Sequence, residues 1–255
     1  MKYAAAVGCA GFPNFTELNV CLLREVFGKD LPIVICDDKS QDTQQNESVA
    51  TRRDCYFKTG DVPRGHFAGD IQAFMDAISL AEAVGADIAI KMSQRSMVSH
   101  LDLHTVIESK FTFDPNCLAV MAGRPNPRLI RQGHQQYARF PLLTDIVFMR
   151  IGKELTADFI KEQYENQVKS GSKYYDCFVE VFWDRARTNY LNGKVHLAPE
   201  LTDHRPGMAP LYLRRYQNGE SEYLSRAGRY GISSGHWLLG ERSKLTQKYD
   251  PRPKL

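Results

Sequence analysis

Apolar and amphipathic stretches alternate along the first hundred residues. "YAAAVGCA" (3–10) is a continuous apolar run of strand length, and "FPNF" breaks it. Leu18, Cys21, Leu22 and Val26 then recur at helical spacing up to Gly28, with Thr16 as the expected N-cap. "LPIVICDD" begins a second apolar run at Pro32, which predicts a strand buried on both faces, as in a parallel sheet. "KSQDTQQN" reads as a polar loop and "DCYFKT" (54–59) as a third short strand. The clearest helix is "GHFAGDIQAFMDAISLAEAVGA". Phe67, Ile71, Phe74, Ile78 and Ala81 line one side of it, and Gly85 stops it. "DIAIKM" follows as the next strand.

Farther on, "CLAVMAG" (117–123) and "PLLTDIVFMR" (141–150) read as strands. Two helices come next, one capped by Thr156 and reaching about Gly171, the other over about 174–191. "KVHLA" is a short strand after Gly193, followed by a Pro- and Gly-containing loop and a basic tail. The alternation predicts an α/β fold with a mostly parallel, Rossmann-like sheet flanked by helices. Residues 1–200 are expected to form the main domain, with 201–255 as a C-terminal extension packed on it. Ligands on such sheets bind at the carboxyl ends of the strands. That rule selects Gly8–Asn14, Asp37–Ser40 and Ser93–Ser96.

Composition narrows the setting. The chain has 255 residues, 43% hydrophobic and 25% charged, an ordinary globular balance. No run approaches the ~20 apolar residues that span a bilayer. The opening "MKYAAAVGCAGF" reads as a buried strand rather than an export signal. Six cysteines form no CxxC pair, so free thiols in a reducing cytoplasm are expected. Residues 201–255 hold ten Lys/Arg against five Asp/Glu, which leaves the first 200 at −2 out of a total of +3. From Pro115 to Thr144 there is no acid, while Arg124, Arg128, Arg131 and Arg139 all occur. Such arginines form either a solvated, salt-bridged face or a surface turned toward phosphates.

Several chemistries are absent. There is no GxxxxGK[ST] and no HExxH, and "GCAGFP" is too poor a match for a dinucleotide loop. What remains is "VICDDKSQDT". Two carboxylates at the end of a buried strand repel one another and call for donors. A ribose diol or the N–H of a base would supply them, or Asp38, Ser40 and Asp42 simply cap the next turn.

This segment resembles the "VVDDGSxD" stretch of GT-A glycosyltransferases, above all the family-two-like group. "AAVGCAGFPNF", "PIVICDDKSQDT", "RGHFAGDIQAFMDAISLAEAVGAD" and "IAIKMSQR" are similar to that group's parts in order and spacing. The resemblance covers about residues 3–100 well, 117–200 loosely and the tail not at all. It implies that Asp37 and Asp38 contact the ribose or base of a nucleotide-sugar, and that the backbone at Ala10, Gly11 and Phe12 walls the base. It places Arg64, His66, Gly69 and Asp70 where the family's helix approaches the nucleotide, with a helix N-cap as the other reading of Asp70.

One part of the pattern departs. The family's metal-binding Asp-x-Asp falls here on Ser93-Gln94-Arg95, so the carboxylates that would hold Mg²⁺ or Mn²⁺ are missing and no cofactor is expected. The metal neutralises the departing diphosphate, and a guanidinium can do the same. Arg95 is the expected clamp, with Lys91 as a second candidate; an inactive site is the alternative. An inverting transferase also needs a base. The resemblance points to "YYDCFVEVFWDR", where Asp176, Glu180 and Asp184 share a helix face; Glu180 is preferred, then Asp176. His204 and Trp237 are weaker matches. Arg124, Arg128 and Arg131 would face the acceptor or the donor phosphates.

The expected activity is therefore sugar transfer from a nucleotide-sugar to an acceptor hydroxyl on a glycan or lipid-linked acceptor. No nucleic-acid partner is expected, and the setting is the cytoplasm or the inner face of a membrane. The alternatives are an inactive nucleotide-sugar- or glycan-binding module and a nucleotidyltransferase on a similar sheet.

Overall fold

The computed structural model describes residues 1–62, 65–94, 96–98, 100–123, 129–132, 135–138, 142–152, 154–169, 179–191, 193–198, 201, 213–215 and 220–232. The elements in chain order are β1 (Tyr3–Cys9), α1 (Pro13–Phe27), β2 (Ile33–Asp37), α2 (Thr43–Arg52), β3 (Tyr56–Thr59), α3 (Gly65–Val84), β4 (Ile88–Ser93), β5 (Ser96–Val98) and α4 (Leu103–Phe113). They continue with β6 (Ala119–Gly123), β7 (Leu129–Gln132), β8 (Gln135–Ala138), β9 (Leu142–Arg150), α5 (Ala157–Lys169), α6 (Val179–Asn189), β10 (Val195–Ala198), β11 (Leu213–Arg215) and α7 (Glu220–Arg229).

Seven strands form one sheet in the order β10-β6-β9-β4-β1-β2-β3. Every neighbouring pair is parallel except those made by β9, which runs antiparallel between β4 and β6. Alternation along β1 and β4 divides the core. Ala5, Val7, Ile88, Ile90 and Met92 join the cluster that includes Leu18, Leu22 and Val26 of α1. Ala4, Ala6 and Ala89 face the other way and meet Ala73, Ala77 and Ala81 of α3. Small residues on both surfaces let α3 lie close to the sheet. Farther along that face Trp183 of α6 packs edge-on to Phe74, with ring centroids 5.2 Å apart. Burying side chains of this size contributes about 1.5–3 kcal/mol each relative to exposure.

The predicted strands at 3–10, 32–38, 54–59, 87–92, 117–123, 141–150 and 194–198 are all present in this one sheet. Thr156 caps α5 as expected, accepting from Phe159 N at 3.1 Å. Three local expectations differ. Thr16 does not cap α1: Pro13 opens that helix after Phe12, whose φ of 55° is left-handed, and Thr16 is buried inside it. The stretch read as loop from Lys39 is loop only as far as Asp42, because α2 begins at Thr43. Asp70 lies within α3 rather than at its N-cap. Helix α4 was not foreseen, although Leu103, Ile107 and Phe111 recur at four-residue spacing and are fully buried.

Candidate functional site

The parallel strands β3, β2, β1 and β4 end on one rim, and their end loops are tied to each other. Asp38 N donates to Cys9 O at 3.0 Å, and Gln94 N donates to Gly8 O at 3.1 Å. The turn after β1 needs Gly11, whose φ is 97°. A Cβ there would also lie 2.9 Å from Asp42 Oδ2. That carboxylate accepts from Phe12 N at 3.3 Å, and Gln94 Oε1 accepts from Ala10 N at 3.2 Å. The backbone at Ala10 and Phe12 is thus held by side chains from two other loops. The Phe12 ring is buried beside Phe15, so the segment offers a donor its backbone surface rather than a stacking ring.

The two acids at the end of β2 have different fates. Asp37 is 3% exposed, and its carboxylate is surrounded by donors. Ser40 N and Ser40 Oγ each donate to it at 2.8 Å, and Thr43 Oγ1 and Asn46 Nδ2 each donate at 2.7 Å. Two carboxylate oxygens offer about four acceptor sites; Ser40 and Asn46 donate to them outright, and the single Thr43 proton is shared with Ser40 O, 2.6 Å away. Where the sequence led to the expectation of a ligand contact, the Asp37 carboxylate is tied mainly into the β2–α2 turn. Asp38 is half-buried and borders a pocket of about 190 Å³ with Cys36, Lys58, Thr59, Gly69, Gln72 and Asp76. Gly69 leaves room there for Asp38, because a Cβ would lie 3.0 Å from the Asp38 carboxyl carbon and press that side chain aside. At the pocket wall, Lys58 Nζ and Gln72 Nε2 both donate to the buried Asp76, at 2.8 and 3.0 Å.

Lys58, Thr59, Gln72 and Asp76 were not anticipated from the sequence. The pair at 72 and 76 has the spacing of one helix face, which is the only signal that could have found it.

Lys91 also departs from expectation. Its side chain is fully buried. The ammonium pairs with Asp70 Oδ1 at 2.8 Å, donates to Thr144 O at 3.1 Å and lies 4.9 Å from the centre of the Phe74 ring. It is enclosed between α3 and the sheet, out of reach of a diphosphate. Ser93 and Gln94 are buried at the end of β4, and Gln94 Nε2 has no hydrogen-bond partner among the described residues.

Burial holds the Cys9 and Cys36 thiols well above the usual range, with Asp37 and Asp76 respectively adding to the effect. Both are poor nucleophiles in this state.

Arg64, Arg95, Arg124, Arg128, Arg139, Asp176, His204 and Trp237 lie outside the described residues, as do the side chains of His66, Arg131 and Glu180. The backbone of Glu180 is in α6, and Asp184 on that helix pairs with Arg187 at 3.0 Å. An unforeseen contact joins the chain's basic end to the β4 corner. β11 pairs antiparallel with β5, setting Arg214 opposite Met97 and Arg215 opposite Ser96, and Arg226 Nη1 donates to Val98 O at 3.2 Å.

Where the resemblance would place a carboxylate pair, Ser93 and Gln94 supply a hydroxyl and an amide. Among the described residues no group of three His, Cys, Asp or Glu side chains is placed to hold a metal. No described helix is long and apolar enough to cross a membrane.

No protein-family model matches the chain, and no curated protein matches it by sequence. Solved structures do align with it. A cytidylyltransferase from Leptospira borgpetersenii serovar Hardjo-bovis matches with a TM-score of 0.50 at 12% identity, over 97% of this chain and 96% of that one. A mannosyltransferase from Pyrobaculum calidifontis, in complex with GDP-Man and Mn²⁺, aligns at TM-score 0.47 and 14% identity, over 98% of this chain and 81% of that one. A glycosyltransferase involved in glycosylation of the PBCV-1 major capsid aligns at TM-score 0.46 and 10% identity, over 77% and 82%. The fold is the GT-A-like, Rossmann-type α/β arrangement expected from the sequence.

Proposed function

We propose that the chain is a nucleotide-sugar-dependent glycosyltransferase that works without a metal ion. The observation that carries this reading is the pocket at the ends of β2 and β3, bordered by Asp38. It lies where ligands bind on sheets of this kind. In this account the base enters that pocket, where the Asp38 carboxylate accepts from its N–H groups. The diphosphate extends toward the β4 corner, where Arg95 neutralises the charge that develops as it leaves. Arg124, Arg128 and Arg131 face the acceptor or the phosphates. The acceptor hydroxyl oxygen attacks the anomeric carbon, Glu180 or Asp176 takes its proton, and the nucleoside diphosphate departs with the bonding electrons. The acceptor is a glycan or a lipid-linked sugar, and the work is done in the cytoplasm or at the inner face of a membrane.

Thermal-shift measurements with UDP-, GDP-, CMP- and dTDP-sugars, in EDTA and in Mn²⁺, test donor and metal together. One donor class is expected to raise the melting temperature equally in both. Stabilisation only in Mn²⁺ would overturn the role of Arg95. Arg95→Ala is expected to fold normally and lose donor turnover by at least about a hundredfold, the scale of removing one preorganised charge.

The alignment with a cytidylyltransferase over nearly the whole of both chains favours nucleotidyl transfer as a second reading. Incubation with CTP and sugar phosphates separates the two: pyrophosphate release would support nucleotidyl transfer. Donor binding with no turnover of any kind would instead indicate a binding module.

A further inference from the structure

Lys91 is an unusual residue for its position. Among the described residues it is the one cation in the set of largest fully buried side chains, and it stands on a central strand, parallel to β1 and antiparallel to β9, where its neighbours Ile90 and Met92 are apolar. Burying an ammonium is costly unless partners compensate, and here three do, from two elements: Asp70 and the Phe74 ring of α3, and the Thr144 carbonyl of β9. An apolar residue would fill the same space without that cost. What Lys91 adds is a fixed place for Asp70. Its side chain is 10% exposed and its Oδ1 lies 3.8 Å from the position a Cβ on Gly8 would take, so the carboxylate stands at the end of β1.

The order of features along the rim gives that carboxylate a role. The pocket bordered by Asp38, Lys58 and Gln72 belongs to β2 and β3. Gln94 directly follows the end of β4. β1 lies between them in the sheet, and Asp70 is held over its end. A nucleoside diphosphate laid across the rim, base in the pocket and diphosphate at β4, brings its ribose to β1. A carboxylate is the acceptor that suits a hydroxyl pair. Pairing with Lys91 also balances its charge, which lowers repulsion of the adjoining phosphates.

We propose that Lys91 is a positioning residue that holds Asp70 over the end of β1, where the Asp70 carboxylate accepts a hydrogen bond from the ribose 2′-hydroxyl of the donor nucleotide. This rests on the donor-site reading above. It makes the protein selective for ribonucleotides through a residue the ligand never touches.

The test compares UDP and GDP with their 2′-deoxy counterparts by calorimetric titration, on wild type and on the double variant Lys91→Met/Asp70→Leu. Apolar replacement of both members removes the buried charges together, which is often tolerated. Wild type is expected to bind its preferred ribonucleotide at least about tenfold more tightly than the deoxy form, the scale of one charge-assisted hydrogen bond. The double variant is expected to melt near wild type yet bind both forms with nearly equal affinity. A folded double variant that keeps the wild-type ratio, or a wild type with no preference, overturns the proposal. If the double variant does not fold, Asp70→Asn makes the same comparison: a lowered ratio supports the proposal and an unchanged one overturns it. A wild type that binds neither nucleotide in either form overturns the donor-site reading, and the role of Lys91 with it.

Discussion

The ends of β2 and β4 solve one problem in opposite ways. Each strand buries a charge near its C-terminus, Asp37 on β2 and Lys91 on β4. Asp37 is satisfied locally, by Ser40, Thr43 and Asn46 within nine residues. Lys91 is satisfied at a distance, by Asp70 and by Thr144, which is 53 residues away. A charge satisfied by its own loop fixes that loop. One satisfied by other elements fixes how those elements meet, here α3, β4 and β9. The first arrangement builds the wall beside the Asp38 pocket, and the second sets the helix that carries Gly69 and Asp70.

Substitutions separate these roles, and the largest effect belongs to β4. Lys91→Met leaves Asp70 buried without its cation and is expected to cost about 3–5 kcal/mol in denaturant unfolding. A loss under about 1 kcal/mol would mean that Asp70 is solvated and the contrast is wrong. Asp37→Ala is expected to cost about 3 kcal/mol, because Asn46 and Thr43 lose a charged acceptor. Hydrogen exchange should show that loss concentrated in residues 38–46, whereas Lys91→Met loosens α3.

Gly69→Ala sharpens the comparison by separating stability from binding. Alanine gains about 1 kcal/mol of helix propensity over glycine, which offsets much of the crowding against Asp38. The melting temperature is expected to stay within a few degrees of wild type, while nucleotide affinity falls severalfold as the carboxylate is displaced. Affinity equal to wild type would remove Asp38 from the site.

The smallest effect concerns the thiols. Burial pushes the Cys55 thiol up to about 11, so at pH 8 about one molecule in a thousand is thiolate there. Burial also holds the Cys9 and Cys36 thiols well above the usual range. Mass-spectrometric mapping of alkylation should find all three slow to react in the folded protein. Cys55 should accelerate as pH rises toward 11, and all three should react at once in denaturant. Fast labelling of Cys9 in native buffer would mean that the β1 end opens.

Much of the fold could be read from residues whose pattern is local. The apolar runs at 3–10 and 33–37 and the face formed by Ile71, Phe74, Ile78 and Ala81 need no tertiary information, and all are core. The site was harder to read because its assignments depend on partners far along the chain. "VICDDKSQDT" shows two acids, and nothing in it says that Ser40, Thr43 and Asn46 turn back onto the first. Lys91 looks like an exposed strand residue until Asp70 is seen above it. The β5–β11 pairing joins residues more than a hundred positions apart, which periodicity cannot register.

The central claim is that a nucleotide-sugar binds on the rim formed by β1 to β4, with Asp38 against the base. The most direct measurement is calorimetric titration, in EDTA, of the stabilising donor into wild type and into Asp38→Ala, with both shown to be folded by their melting curves. The account predicts saturable binding to wild type and at least about a tenfold weaker dissociation constant in the variant, the scale of one hydrogen bond to a charged group. Equal affinity in the two folded proteins would contradict it.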